Sequence, residues 1–239
     1  MNMVNNINTE AKIMKPADYK GIFFDLVIYL FTMFLVREIY FPSLGFLANG
    51  LFWSFSTLVV ATWRMRARGV TWKELGLHKP DNFKKTLLLS GLILVSAITF
   101  ILVFNLFKDQ LPFLTTPDAT PESADTKFGD LKGSWPLFFS IISMVLIESF
   151  LEELLDRGFL LNWLEKLFSK TSFATILAVL LQAAIFGFRH SHNLSERSIT
   201  VGIIGLVMGI AYVAFGRNLW PLIIAHAALN SMSMIDRVL

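Results

Sequence analysis

Two adjacent carboxylates, Glu152 and Glu153, sit inside an apolar stretch that runs from Trp135 to Phe168, and two later apolar stretches each carry a histidine, His190 and His226. If the first stretch is helical, Glu148 and Glu152 stand one turn apart on one face. Glu153 and Arg157 then form an i,i+4 pair with the acid on the N-terminal side, the better order for an ion pair. Glu153 has a counter-ion within its own helix, whereas Glu152 faces another acid and is the one suited to general acid or base work. The plainer alternative is that residues 152–157 mark the cytoplasmic end of a helix, where charges meet headgroups. Phe186 precedes His190 by one turn, and an imidazole there could donate to an oxyanion, relay a proton or ligate a metal. Beside Arg189 it could equally be an interfacial histidine, and His192 is read as interfacial. His226 and Asn230 are spaced to stack on one helical face, with Pro221 suited to the first turn before them. Small residues Ala225, Ala227 and Ala228 around them allow a neighbouring helix to come close. Met232 and Met234 read as packing.

The elements that must position these groups are set by the solvent. Hydrophobic residues make up 54% of the 239, charged residues 16%, and the mean hydropathy is +0.59, which points to a membrane rather than a charged aqueous surface. A charged group at the centre of a bilayer costs about 2.5–3.5 kcal/mol or more, so acids and histidines kept in separate apolar segments are expected to gather at one polar site. Apolar blocks lie at 22–41, 44–63, 86–107, 135–155, 172–188, 198–215 and 220–235. They are continuous where barrel strands would alternate, so helices are expected. The fold class is all-α, a polytopic transmembrane helical bundle of about seven spans, six to eight being the bracket given by the pattern.

Charge sets the expected topology. The connection from Arg64 to Lys85 is strongly basic and is assigned to the cytoplasm, and the acidic loop 108–134 to the outside. The N-terminus is then cytoplasmic. The net charge of +3 does not imply nucleic acid, because the basic residues flank apolar blocks. Residues 71–77 mix aromatic, basic and apolar side chains as an interfacial segment does. The first apolar block starts too far in and is too long for an ordinary signal peptide, so it reads as an anchor. Four regions are expected: an N-terminal segment 1–21, N-terminal transmembrane helices 22–107, an outer loop 108–134 and a helical core 135–237 carrying the polar residues. The absence of cysteine leaves histidine, carboxylates and hydroxyls for chemistry.

Three motifs occur in order, each in its own apolar block: Glu152-Glu153-x-x-x-Arg157, Phe186-x-x-x-His190, and His226-x-x-x-Asn230 preceded by Trp220-Pro221. Together they resemble the CAAX protease and bacteriocin-processing (CPBP) family, also called the abortive-infection or Rce1-like family. The resemblance covers roughly 135–235. It implies an intramembrane glutamic endopeptidase in which Glu152 activates a water for attack on a peptide carbonyl. His190 would assist proton handling, and His226 with Asn230 would form the oxyanion hole. Glu153 and Arg157 would hold the first helix in place, with Phe186 supporting. No cofactor is expected. The alternative is zinc on Glu152, His190 and His226, although no His-Glu-x-x-His helix is present and Asn230 fits better as a donor to a carbonyl. Implied partners are the bilayer and a peptide or protein substrate, with lipidated CAAX-type tails and leader peptides among the candidates. The expected home is a bacterial cytoplasmic membrane. Asp156 departs from the family pattern, which has an aromatic or apolar residue before the arginine, and it could alter Glu152 or compete for Arg157. A non-catalytic immunity or scaffold protein of the same family is the alternative function. One geometric demand follows. His190 must reach the depth of Glu152, by 168–176 projecting beyond the membrane, by 158–168 dipping into it, or by strong tilt.

Overall fold

Each apolar block forms a helix, because only a helix lets such a segment satisfy its backbone polar groups without leaving lipid. The computed structural model describes residues 18–111, 128–191 and 194–239. No strand occurs among the described residues. Helix α1 spans Tyr19–Leu35 and is capped by Asp18, whose carboxylate accepts from the Gly21 N–H at 3.0 Å. Helix α2 spans Gly45–Ala67, and α3, capped by Asn82, spans Phe83–Phe107. Helix α4, Trp135–Glu153, starts with a proline in its first turn and runs on into a π-helical segment, Leu154–Leu161, and then into α5, Asn162–Leu167. Helix α6 is Ala174–Arg189, α7 is Glu196–Ala214 with a Ser195/Ser198 capping box, and α8 is Trp220–Val238 with Pro221 in its first turn. The described helices match an all-helical membrane bundle.

Four stretches are long and apolar enough to cross a membrane: Tyr19–Glu38, Pro42–Ala67, Phe83–Gln110 and Glu196–Ala214. The other three expected blocks also fold as helices but do not meet that criterion. They are α4, which carries Glu148, Glu152 and Glu153, α6, which has only 16 residues, and α8, which carries His226 and Asn230. Helices that bear the polar residues are thus the less lipid-like ones.

The depth of His190 is reconciled by length. Because α4, the π segment and α5 form one rod, Glu152 lies near its middle rather than at an end. Helix α6 turns back along the second half of this rod and stops where its last residue, Arg189, meets Glu152. Residues 154–164 are all buried and 165–168 half-buried, so most of the 158–168 stretch, one of the three alternatives offered for the depth of His190, packs inside the protein.

The rod is the axis of the main core, where Tyr29, Phe159, Trp163, Met208, Tyr212 and Leu222 pack together. Tyr29 donates from its hydroxyl to the Leu155 carbonyl at 3.2 Å, and Asn162 Nδ2 donates to the carbonyls of Arg157 and Gly158 at 3.0 and 2.8 Å. These bonds hold the wide turns of the π segment, a geometry that in general occurs as single turns at functional sites. A second cluster, Phe138, Ile141, Val145, Met234 and Val238, joins the N-terminal half of α4 to the C-terminal half of α8. The expected interfacial segment 71–77 docks on the protein: Leu75 is buried, its carbonyl accepts from the Tyr212 hydroxyl, and the Gly76 carbonyl accepts from the Leu219 N–H. Gly76 has φ +99° with the Arg217 carbonyl oxygen 2.1 Å from where a Cβ would stand, so only glycine fits.

Candidate active site

The rod presents Glu152 and Glu153 to α6 and α8, and the two acids have different partners. Glu153 Oε1 accepts from Arg157 Nη1 at 3.1 Å, the pair that i,i+4 spacing predicts. The same oxygen lies 2.7 Å from His226 Nδ1, and Glu153 and Arg157 are both fully buried. Glu152 is bracketed. Its Oε1 lies 3.4 Å from His190 Nε2 and its Oε2 lies 3.5 Å from His226 Nε2. His190 Nδ1 is 2.7 Å from the Phe186 carbonyl oxygen, which can only accept, so that nitrogen carries the proton and donates. His226 Nδ1, against a carboxylate oxygen, donates likewise. Both rings therefore turn Nε2 toward Glu152, one to each oxygen.

Phe186 is the apolar wall between these groups. Its ring centroid is 4.7 Å from that of His190 and 6.3 Å from that of His226. The guanidinium carbons of Arg157 and Arg189 lie over it at 4.5 and 5.1 Å. Close packing of α6 on α7 sets this wall in place: a Cβ on Gly187 would stand 2.3 Å from the Ser198 carbonyl oxygen, and one on Gly205 would stand 3.0 Å from the Phe186 ring.

Asn230 stands one turn beyond His226 on α8. Its Nδ2 donates to Ser149 Oγ at 2.9 Å, and Ser149 donates to the Val145 carbonyl. Glu152, Glu153, Arg157, Phe186, His190 and His226 thus meet at one place, with Asn230 at its edge along the α4–α8 contact. Glu148 accepts from Ser54 Oγ of α2 at 2.5 Å, so the acid expected to face Glu152 is engaged by a hydroxyl from the N-terminal helices. His192 lies outside the described residues.

Arg189 is buried, and its Nη2 donates to Glu152 Oε1 at 3.1 Å and to Asp156 Oδ2 at 2.9 Å. Asp156 therefore does not compete for Arg157. Glu152 and Asp156 lie one turn apart on the rod, and a single planar guanidinium at the end of α6 reaches both. The signal available in the sequence was Asp156 itself, an acid in an apolar run whose partner had to come from another segment.

The fold and this constellation define a class: helical membrane proteins with an internal site of paired carboxylates and imidazoles. Residues 134–232 match the family model described as type II CAAX prenyl endopeptidase Rce1-like, so this part of the chain is similar to that family. The matched stretch contains the seven residues singled out by the three motifs, together with Asp156 and Arg189. No match was found among curated proteins or among solved structures.

Proposed function

We propose that the protein is an intramembrane endopeptidase that hydrolyses a peptide bond of a membrane-associated protein or peptide with a water activated by Glu152. The observation that carries this reading is a buried carboxylate whose two oxygens each face an imidazole Nε2. Glu152 takes a proton from water as the water oxygen attacks the scissile carbonyl, and His190 shares the handling of that proton. His226, held against Glu153, can carry a proton on both nitrogens, and its Nε2–H then donates to the oxyanion beside the Asn230 amide. Arg157 and Glu153 keep this arrangement fixed. The amine leaves with the proton that Glu152 took, which restores the carboxylate.

The match of 134–232 to a CAAX-type endopeptidase model favours a lipidated C-terminal tail as substrate over a leader peptide. A bacterial cytoplasmic membrane, with the N-terminus and the basic 64–85 connection inside, is the setting that we propose. The test is cleavage of lipidated and leader peptides by detergent-purified protein, with and without chelator. Glu152→Gln is expected to abolish cleavage while the protein still inserts. His226→Ala removes one oxyanion donor and is expected to lower kcat by about 100- to 1000-fold. Cleavage that depends strictly on zinc would overturn the metal-free mechanism.

A second reading, a non-catalytic immunity or scaffold protein, draws on one contact: Arg189 occupies the same oxygen of Glu152 that His190 faces. A scaffold would keep its cellular phenotype in Glu152→Gln, and an enzyme would lose it.

A further inference from the structure

We propose that the outer face of α2 binds one anionic glycerophospholipid, with the phosphate on Arg66 and an acyl chain in the groove beneath it. Nothing in this assignment depends on the peptidase chemistry. A groove of about 710 Å³ runs along this face, lined by Leu58, Val59, Thr62, Trp63, Arg66 and Ala67. These residues recur at helical spacing and so form one stripe, roughly 13 Å long at 1.5 Å per residue. The stripe lies within Pro42–Ala67, one of the stretches able to cross a membrane. Val59 and Trp63 are 69% and 56% exposed, so the groove opens toward acyl chains.

The two ends of the groove differ in chemistry. Leu58 and Val59 at the deep end are apolar, and Arg66 at the other end is exposed in the last turn of α2. Arg66 is also the uncommitted cation of its cluster. Arg64 pairs with Asp25, and Arg68 with Asp25 and Asp18, whereas among the described residues no carboxylate lies within ion-pair distance of Arg66. Trp63 stands beside it, as indole rings do at a membrane–water interface, and the Arg64 guanidinium carbon covers its ring at 4.6 Å. Thr62 lies one turn deeper than Arg66 on the same face. Its hydroxyl accepts from Trp72 Nε1 at 3.1 Å and so keeps its own proton to give.

This order of groups matches a glycerophospholipid from headgroup to tail. The phosphate accepts from the Arg66 fork, an ester carbonyl accepts from Thr62, and the chain lies over Leu58 and Val59. Surrounding charge selects the headgroup: Lys73, Lys84 and Lys85 are exposed on the 64–85 connection, so the ammonium of a zwitterionic headgroup meets like charge and an anionic one does not. Free phosphate shares the charge but has nothing to fill the groove. An apolar helix of a second copy fills the groove but leaves Arg66 unpaired.

The experiment uses the full chain in an uncharged detergent, titrated with phosphatidylglycerol, phosphatidylcholine or inorganic phosphate. Native mass spectrometry counts the lipid retained and gives its Kd, and thermal unfolding reports the linked rise in Tm. The native protein is expected to retain one phosphatidylglycerol with a Kd about five- to tenfold below that of phosphatidylcholine, as one arginine beside a headgroup provides. Arg66→Gln should bring the two lipids level, and Val59→Trp, which fills the groove, should weaken the binding of both. Lys84→Gln, on the same basic connection but outside the groove, should leave the ratio as it was. Arg66 and Val59 are exposed, so both variants are expected to match the native Tm without lipid. Failure to retain phosphatidylglycerol, or a native ratio near one, would overturn the assignment. A ratio lowered equally by Lys84→Gln and Arg66→Gln would overturn it in favour of diffuse charge. A rise in Tm of the same size with inorganic phosphate would remove the groove from the site. A dimer that forms in detergent, excludes phosphatidylglycerol and is broken by Val59→Trp would give the face to a second copy instead.

Discussion

Glu153 accepts from Arg157 and His226 through one oxygen, and its other oxygen is buried without a partner among the described residues. With no water to screen the charge, its stability depends on the guanidinium. Arg157→Met is therefore expected to destabilise the fold by about 3–5 kcal/mol, since it leaves an uncompensated buried acid. Glu153→Gln combined with Arg157→Met should recover much of that loss, as a double-mutant cycle of thermal unfolding in detergent would read. At the neighbouring acid, Asp156→Asn leaves Arg189 with Glu152 as its sole carboxylate among those described. The expected result is a lower kcat with KM retained, because the guanidinium then competes with the imidazoles for the base; a loss confined to KM would contradict it. The Glu153–Arg157 pair was legible because both members lie on one helix at a spacing that brings them together. Arg189 was not legible, since a linear pattern does not say whether an arginine at the end of an apolar block points to headgroups or inward.

At the scale of elements, the π segment and the α6–α7 contact decide where the groups stand. Asn162 Nδ2 is shared among the Arg157 and Gly158 carbonyls and the Tyr212 hydroxyl. Asn162→Leu keeps the bulk and strips these bonds, and it is expected to lower stability by about 1–3 kcal/mol through unsatisfied buried acceptors. Thermal unfolding would measure it, and an unchanged Tm would show that the segment is held by packing alone. Gly187→Ala places a methyl 2.3 Å from a backbone carbonyl of α7, so the helices must separate. Because His190 follows three residues later, the variant is expected to lose activity along with stability, which assay and unfolding together would show. The helices themselves could be read from apolar block length. The π turns could not, because they arise from burial and from partners such as Tyr29 that lie far away in the chain.

For the whole molecule, lipid-facing helices shield polar ones. Phe23, Phe24, Phe31, Val59, Leu88, Val95 and Leu106 on α1 to α3 are exposed and apolar, as a surface bathed in acyl chains should be. One ionic knot ties this wall to the rod: buried Asp25 on α1 meets Arg64 of α2 at 2.6 Å and Arg68, the residue just after α2, at 2.7 Å, and accepts from Trp163 Nε1 of α5 at 3.2 Å. Asp25→Ala is expected to loosen α1 and α2 from the site-bearing helices, seen as a lower Tm and faster proteolysis near residue 40. Unchanged protease resistance would argue that apolar packing suffices to hold the wall.

By itself the sequence determined the solvent, the helical class and which polar residues needed an explanation, because composition, block length and i,i+4 spacing act locally along a chain. Tertiary structure decided that Glu152 lies mid-rod, that both histidines turn Nε2 toward it, and that Asp156 belongs to Arg189. Those outcomes depend on Coulomb attraction and packing between segments remote in sequence, where a shift of one turn exchanges one partner for another.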